Sequence, residues 1–204
     1  MVDLYPIPIR IIPSVRPTSQ IVPLATLQRW AHATGNPNAH HRDMAGITVP
    51  GIRLDTSSLQ LDRTIHERRA QIRYRAGSLT IRVWNSIYLS DRLNECEQDF
   101  WEAHEMDHVH DYEQLSHPLM LRLQGNRFMR EFFLEQTWYD ENRQTITWIA
   151  NRFMTECAQI FQQLTGDAAR HRDTPAEYER VRARIRETCT GRLRRPTRRA
   201  SERG

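Results

Sequence analysis

The spacing of apolar and polar positions changes character along the chain, and each change predicts a different element. Residues 1 to 25 are punctuated by Pro6, Pro8, Pro13, Pro17 and Pro23, with apolar residues between them. Proline fixes φ and removes a backbone donor, so this stretch predicts an extended arm and excludes a helix or a central strand. Such an arm either wraps on the domain or serves for docking. Thr34-Gly35-Asn36-Pro37-Asn38 is a turn signal, and His40-His41 follows in a polar loop where solvated histidines are the expectation.

From Gln71 the period becomes two. Ile72-Arg73-Tyr74-Arg75 alternates, Ala76-Gly77-Ser78 turns, and Leu79 to Trp84 alternates again, which predicts a β-hairpin with its second strand prolonged to Leu89. Ser90 or Asp91 is placed to cap a long helix reaching about Leu115. Within it Trp101, His104, His108, Asp111 and Leu115 recur at three- and four-residue spacing and form one inward stripe. Ser116-His117-Pro118 ends that helix, because the residue before proline resists helical geometry.

Leu119 to Leu164 predicts two or more helices, with breaks at Gly125-Asn126 and Tyr139-Asp140-Glu141-Asn142, closed by Thr165-Gly166-Asp167. Phe128, Phe132, Phe133, Trp138, Trp148, Ile149, Phe153 and Phe161 fall at helical spacing as core positions, and Cys157 fits that set. Thr174-Pro175-Ala176-Glu177 combines a cap, proline at the first helical position and glutamate at the third, predicting a last helix to about Cys189. Residues from Gly191 onward read as disordered. The fold class is therefore α+β: a small antiparallel sheet, a long helix directly after its last strand, and a helical C-terminal half.

Composition narrows this. The 204 residues suit one main domain, and 39% hydrophobic residues with five Trp, six Tyr and six Phe suffice for a packed core despite a mean hydropathy of −0.70. The expected division is an arm over 1–25, a domain over 26–190 and an Arg-rich tail over 191–204. No run of apolar residues is long enough to span a membrane, and the N-terminus does not read as a secretory signal, so a cytoplasmic protein is the expectation. Cys96, Cys157 and Cys189 are too few and too scattered for a disulfide framework, which predicts reduced thiols.

Every basic residue is arginine. A GC-rich coding sequence accounts for this; delivery into a host cytosol, where lysine would accept ubiquitin, is the sharper alternative. Ten arginines against Glu187 and Glu202 follow residue 179, so the overall charge of +4 describes the tail more than the body. Arg192, Arg194, Arg195, Arg198 and Arg199 suit a weak, non-specific polyanion contact, since no aromatic residue is interleaved among them.

The chemistry is concentrated in His104-Glu105-Met106-Asp107-His108, an HExxH box. Two imidazoles four residues apart share a helix face and can share one Zn²⁺, while the glutamate stands beside a metal-bound water. The composition gives such a box about 0.03 times by chance, and no Pro or Gly interrupts the surrounding helix. Cys96 is too far along that helix to join the metal, and His110 points away from it.

Strand, HExxH helix and further helices in that order resemble the zincin metallopeptidases, over residues 70 to 140. The resemblance implies that His104 and His108 are zinc ligands, that Glu105 is the general base, and that Leu79 to Leu89 is an edge strand pairing with an extended peptide substrate. The metzincin extension is absent, since Asp111 and Gln114 stand where its Gly and third His belong. Resemblance to the gluzincins implies a glutamate about 20 residues downstream as third ligand, which favours Glu131 over Glu135, with His117 and Asp111 as competitors. Tyr112, Tyr139 and His171 are candidates for stabilising an oxyanion, as Tyr or His does in some zincins. The implied function is a zinc-dependent endopeptidase acting on a peptide or protein. The rival from another class is a non-catalytic binding or assembly protein with the box structural or empty.

Overall fold

The computed structural model describes residues 8–13, 17–33, 44–66, 69–127, 137–140 and 145–192. The described elements are α+β. In chain order they are β1 (Ile9–Pro13), β2 (Thr18–Val22), α1 (Leu24–Ala33), β3 (Gly46–Asp55), β4 (Gln60–His66), β5 (Arg69–Ala76) and β6 (Leu79–Ser90). There follow α2 (Glu95–Glu113), α3 (Ser116–Gly125), β7 (Thr137–Asp140), α4 (Thr145–Arg172) and α5 (Pro175–Arg192). None of these helices is long and apolar enough to cross a membrane.

The chain forms two compact units, neither continuous in sequence. The first draws on Met1–Thr18, Val49–Ser86 and Val109–Ala168, the second on Ser19–Thr48, Ile87–His108 and Ala169–Gly204.

In the first unit, the alternation of β6 translates directly into burial, with Leu79, Ile81 and Val83 inward and Arg82 and Trp84 outward. The inward residues pack with Leu119 and Leu123 of α3 and with Phe153, Cys157, Ile160, Phe161 and Leu164 of α4. The α4 positions recur at three and four residues and present one apolar stripe. Replacing the fully buried Phe153 by Ala would cost about 3–5 kcal/mol at such a site.

Two expectations about the sheet are corrected. β5 and β6 are strands, but they do not form a hairpin. β6 pairs in parallel with β1, Ile9 opposite Leu79 and Pro13 opposite Val83, so the sheet preceding the HExxH helix is not antiparallel. β5 instead pairs antiparallel with β4 and β7 in a separate three-stranded sheet. In the connection between them Gly77 has φ +100, and a Cβ there would lie 1.9 Å from the Ser58 carbonyl oxygen. Only glycine fits a positive φ against an approaching backbone. Ser58 adds a bond from Oγ to the Ser78 carbonyl at 2.8 Å.

The second correction concerns the edge. β1, β2 and β3 all hydrogen-bond to β6, which is therefore an interior strand and not the edge that β-augmentation requires. Within the proline-punctuated arm, the described segments are β1 and β2, extended as expected.

In the second unit, the carboxylate of Asp91 caps α1, accepting from the Leu24 amide at 3.3 Å, and the Asp91 amide bonds the Val22 carbonyl at 3.0 Å. Asp91 is thus committed elsewhere, and α2 starts later than the Ser90 or Asp91 cap implied. Asn94 and Glu97 form its capping box, each side chain accepting from the other's amide at 3.0 and 2.9 Å. Cys96 in the first turn of α2 is disulfide-bonded to Cys189 of α5 across 93 residues, correcting the expectation of separate reduced thiols. A loop of that length leaves no local spacing to read, yet closing it restrains the unfolded chain by on the order of 4–5 kcal/mol in the entropy model. Cys157 is free and buried in the first unit, and burial pushes its thiol pKa up to about 12.

Helix α4 also outruns its expected end. It passes through Thr165-Gly166-Asp167 to Arg172, with the Thr165 hydroxyl donating back to the Phe161 carbonyl at 3.0 Å. No proline follows until Pro175, where Thr174 caps α5 as expected, its Oγ1 accepting from the Glu177 amide at 3.2 Å.

Candidate metal centre

Helix α2 turns His104, Glu105 and His108 inward together, leaving them 3%, 5% and 4% exposed. Three polar side chains buried at one place need partners, because unpaired burial costs each of them a desolvation penalty. The two imidazoles stand edge to face with centroids 5.1 Å apart. Their partner comes from the corner between α4 and α5. The Asp173 amide bonds the Ala169 carbonyl at 2.7 Å, closing α4, and Thr174 opens α5, so Asp173 is fixed between a helix end and a helix start.

Asp173 Oδ1 lies 2.9 Å from His108 Nε2 and 3.4 Å from His104 Nε2, with its side chain only 5% exposed. Ligand atoms of His104, His108 and Asp173 all lie within 4.8 Å of one another, and this buried group can hold a metal ion. The donor set fits a small divalent cation. Zn–N and Zn–O bonds of about 2.0–2.1 Å in a tetrahedron put ligand atoms about 3.3 Å apart, near the 2.9 and 3.4 Å that separate Asp173 Oδ1 from the two histidine nitrogens. His104 offers a further sign, since neither of its ring nitrogens has a hydrogen-bond partner although the ring is buried. Among the described residues three side chains form this group, which would leave one position of a tetrahedron open.

Glu105 is held beside this set without belonging to it. The Thr48 hydroxyl lies 2.8 Å from Glu105 Oε2 and 3.1 Å from the Glu105 carbonyl oxygen. Gly46 provides room: a Cβ there would stand 2.9 Å from Oε1. Around the ligands, Trp101 packs edge-on against His104 at 5.7 Å and Tyr178 lies 5.5 Å from the same ring. Arg172 Nη1 pairs with Asp107 Oδ2 at 3.2 Å, tying the residues next to Asp173 and His108 to each other.

Charge and burial oppose each other here. Burial raises the Glu105 pKa above the usual carboxylate range, against the nearby histidines and the Thr48 bond. Burial disfavours the His108 cation, but the bond to Asp173 and the charge of Glu105 outweigh it and the pKa rises. Asp173 is held well below the usual range: burial works against this, and the nearby His104 together with the bond to His108 prevails.

The sign of the pH dependence follows. A raised folded-state pKa gives stability that is lost as pH rises through it, so His108 and Glu105 both make the metal-free protein weaker on the alkaline side. The depressed Asp173 contributes stability above its unfolded pKa and loses it only in acid. A metal ion needs deprotonated ligands, so its stabilisation grows with pH. Thermal melts from about pH 6 to about pH 8.5 should show Tm of the metal-free protein falling while the increment from added zinc widens. An increment independent of pH would contradict this ligand set.

The residues singled out by sequence distribute as follows. His104, Glu105 and His108 come together. Glu131 and Glu135, offered as third ligands, lie outside the described residues, as do His40, His41, Phe128, Phe132, Phe133 and the tail from 193 onward. Asp111 is half-buried and His117 exposed, and neither joins the metal-ligating group. His110 is exposed, as its position on α2 predicted, and His171 is exposed at the end of α4. Tyr112 and Tyr139 belong to the first unit, not to the one that contains the centre. Phe153, Cys157 and Phe161 are core.

Asp173 was missed. Its only sequence signal is position, a carboxylate immediately before a strongly marked helix start, 65 residues after His108. No family model, curated protein or solved structure matches this chain.

Proposed function

We propose that this chain is a zinc-dependent peptidase of zincin type, with His104, His108 and Asp173 holding the metal and Glu105 serving as general base. The observation that carries the reading is the buried Glu105 carboxylate, anchored by Thr48 beside a two-histidine, one-carboxylate set. A zinc ion held there would supply Lewis acidity toward a carbonyl oxygen and a water with its pKa lowered to about 7.

The chain's own residues do the rest. Thr48 fixes Oε2 of Glu105, and Gly46 leaves room at Oε1, the oxygen that accepts the proton of the attacking water. Its raised pKa suits the task, because a base nearer neutrality takes up a proton and can then release it to the leaving amide nitrogen. Asp173 would offset the cation's charge, and without the ion its Oδ1 holds His108 Nε2 at 2.9 Å. The resemblance to gluzincins implies a glutamate about 20 residues downstream, whereas the carboxylate proposed here is an aspartate 65 residues after His108.

Removing the metal tests this reading. Protein stripped by a chelator should cleave a degenerate peptide library no faster than buffer, and one equivalent of zinc should restore cleavage. A fully zinc-loaded protein that leaves the library intact would favour the rival reading of a non-catalytic binding protein.

A further inference from the structure

A groove of about 460 Å³ runs between α2 and α5, within the size range of ligand clefts. Its lining on α2 extends from Cys96 past His104 to Asp107, so the groove passes from the disulfide alongside a metal-ligating histidine. Its lining residues on α2 recur at three and four positions, as do those on α5, so two helix faces enclose it.

Two features point to an extended peptide as occupant. The first is chemical. Phe100 and Val181 give an apolar floor with Ala103 exposed beside it, while Asp99 and Arg184 supply an acceptor and a donor from opposite helices. Of the other charged lining groups, Glu177 pairs with Arg180 and Asp107 with Arg172. Arg184 rests over the Phe100 ring at 5.6 Å. A peptide backbone needs acceptors and donors together; a polyanion would meet the carboxylates, and a hydrocarbon chain would bury charge.

The second feature is topological. β6 is flanked by other strands, so the substrate cannot add to it as zincin resemblance implied, and a different seat is required. Eight helical residues separate Cys96 from His104, about 12 Å at 1.5 Å per residue. That length seats about three to four residues of extended chain at about 3.3 Å each.

We propose that the groove between α2 and α5 is the substrate cleft, seating about three to four residues of an extended peptide on one side of the scissile bond. The disulfide end limits how far substrate reaches on that side. This rests on the peptidase reading for its catalytic meaning, but peptide binding can be tested without catalysis.

Zinc-loaded Glu105→Gln protein would be photo-crosslinked to a degenerate eight-residue peptide library carrying benzophenone, and the attachment points mapped by mass spectrometry. Crosslinks are expected on 96–107 and 177–188. Ala103→Trp, filling the groove from an exposed position, should lower their yield by about tenfold with zinc retained. Should that variant lose its zinc, Asp99→Trp at the exposed rim carries the same expectation. Crosslinks elsewhere, none at all, or a yield unchanged by the tryptophan overturn the cleft. The two proposals separate cleanly. Cleavage by wild type with crosslinks elsewhere sinks only the groove, whereas crosslinks in the groove without cleavage sink only the peptidase.

Discussion

Zinc-loaded Glu105→Gln protein is expected to lose about 10²–10⁴-fold in peptide hydrolysis while keeping its fold and its metal, the contribution typical of a positioned general base. The substitution is nearly isosteric. A glutamine oxygen still accepts from the Thr48 hydroxyl, which holds Glu105 at 2.8 Å, so the side chain stays in place. Burial already disfavours the Glu105 charge, so removing it should leave stability unchanged or raise it. A merely structural glutamate would show the opposite pattern, with stability lost and no rate to lose. Single-turnover rates and a thermal melt on the same zinc-loaded sample distinguish the two. Hydrolysis within about tenfold of wild type would remove Glu105 from the chemistry.

Asp173→Ala should weaken zinc binding by more than the about 10–100-fold that loss of an outer partner of a zinc ligand costs. The carboxylate supplies a ligand atom and a negative charge, and its loss leaves two neutral imidazoles to hold a divalent ion. Competition against a chromogenic chelator reads the change directly. Asp173→Asn separates the two contributions, since it keeps an oxygen in place and removes the charge; an intermediate loss is expected. The metal-free protein should suffer as well, because His108 Nε2 then loses the acceptor it holds at 2.9 Å. If Asp173→Ala binds zinc as wild type does while Glu131→Ala does not, the ligand is the glutamate expected from gluzincin resemblance.

What was legible in the sequence was local. The HExxH box declares its geometry through a four-residue spacing, and His104, Glu105 and His108 are all buried. The start of α5 was readable for the same reason, since Thr174, Pro175 and Glu177 act within one turn. Alternation identified β6, and its burial alternates in step.

Partners across the chain were not legible. Alternation says that a segment is a strand but not what it pairs with, and β5 and β6, consecutive in sequence, join different sheets. The cap of α2 moved to Asn94 because Asp91 was needed by α1, a tertiary demand invisible in a window around residue 91. Asp173 and the Cys96–Cys189 pair are 65 and 93 residues from their partners, and no local period encodes such contacts. A glycine at 166 suggested a helix end, but Thr165 bonds into the helix and α4 continues to Arg172.

The central claim is that one metal ion sits among His104, His108 and Asp173. Anomalous diffraction at the zinc absorption edge, from crystals grown with one equivalent of zinc, tests it most directly. The account predicts a single strong peak about 2.0–2.2 Å from a ring nitrogen of each histidine and from an Asp173 carboxylate oxygen, beside but not bonded to Glu105. A peak bonded elsewhere, or no peak at these residues, would contradict it.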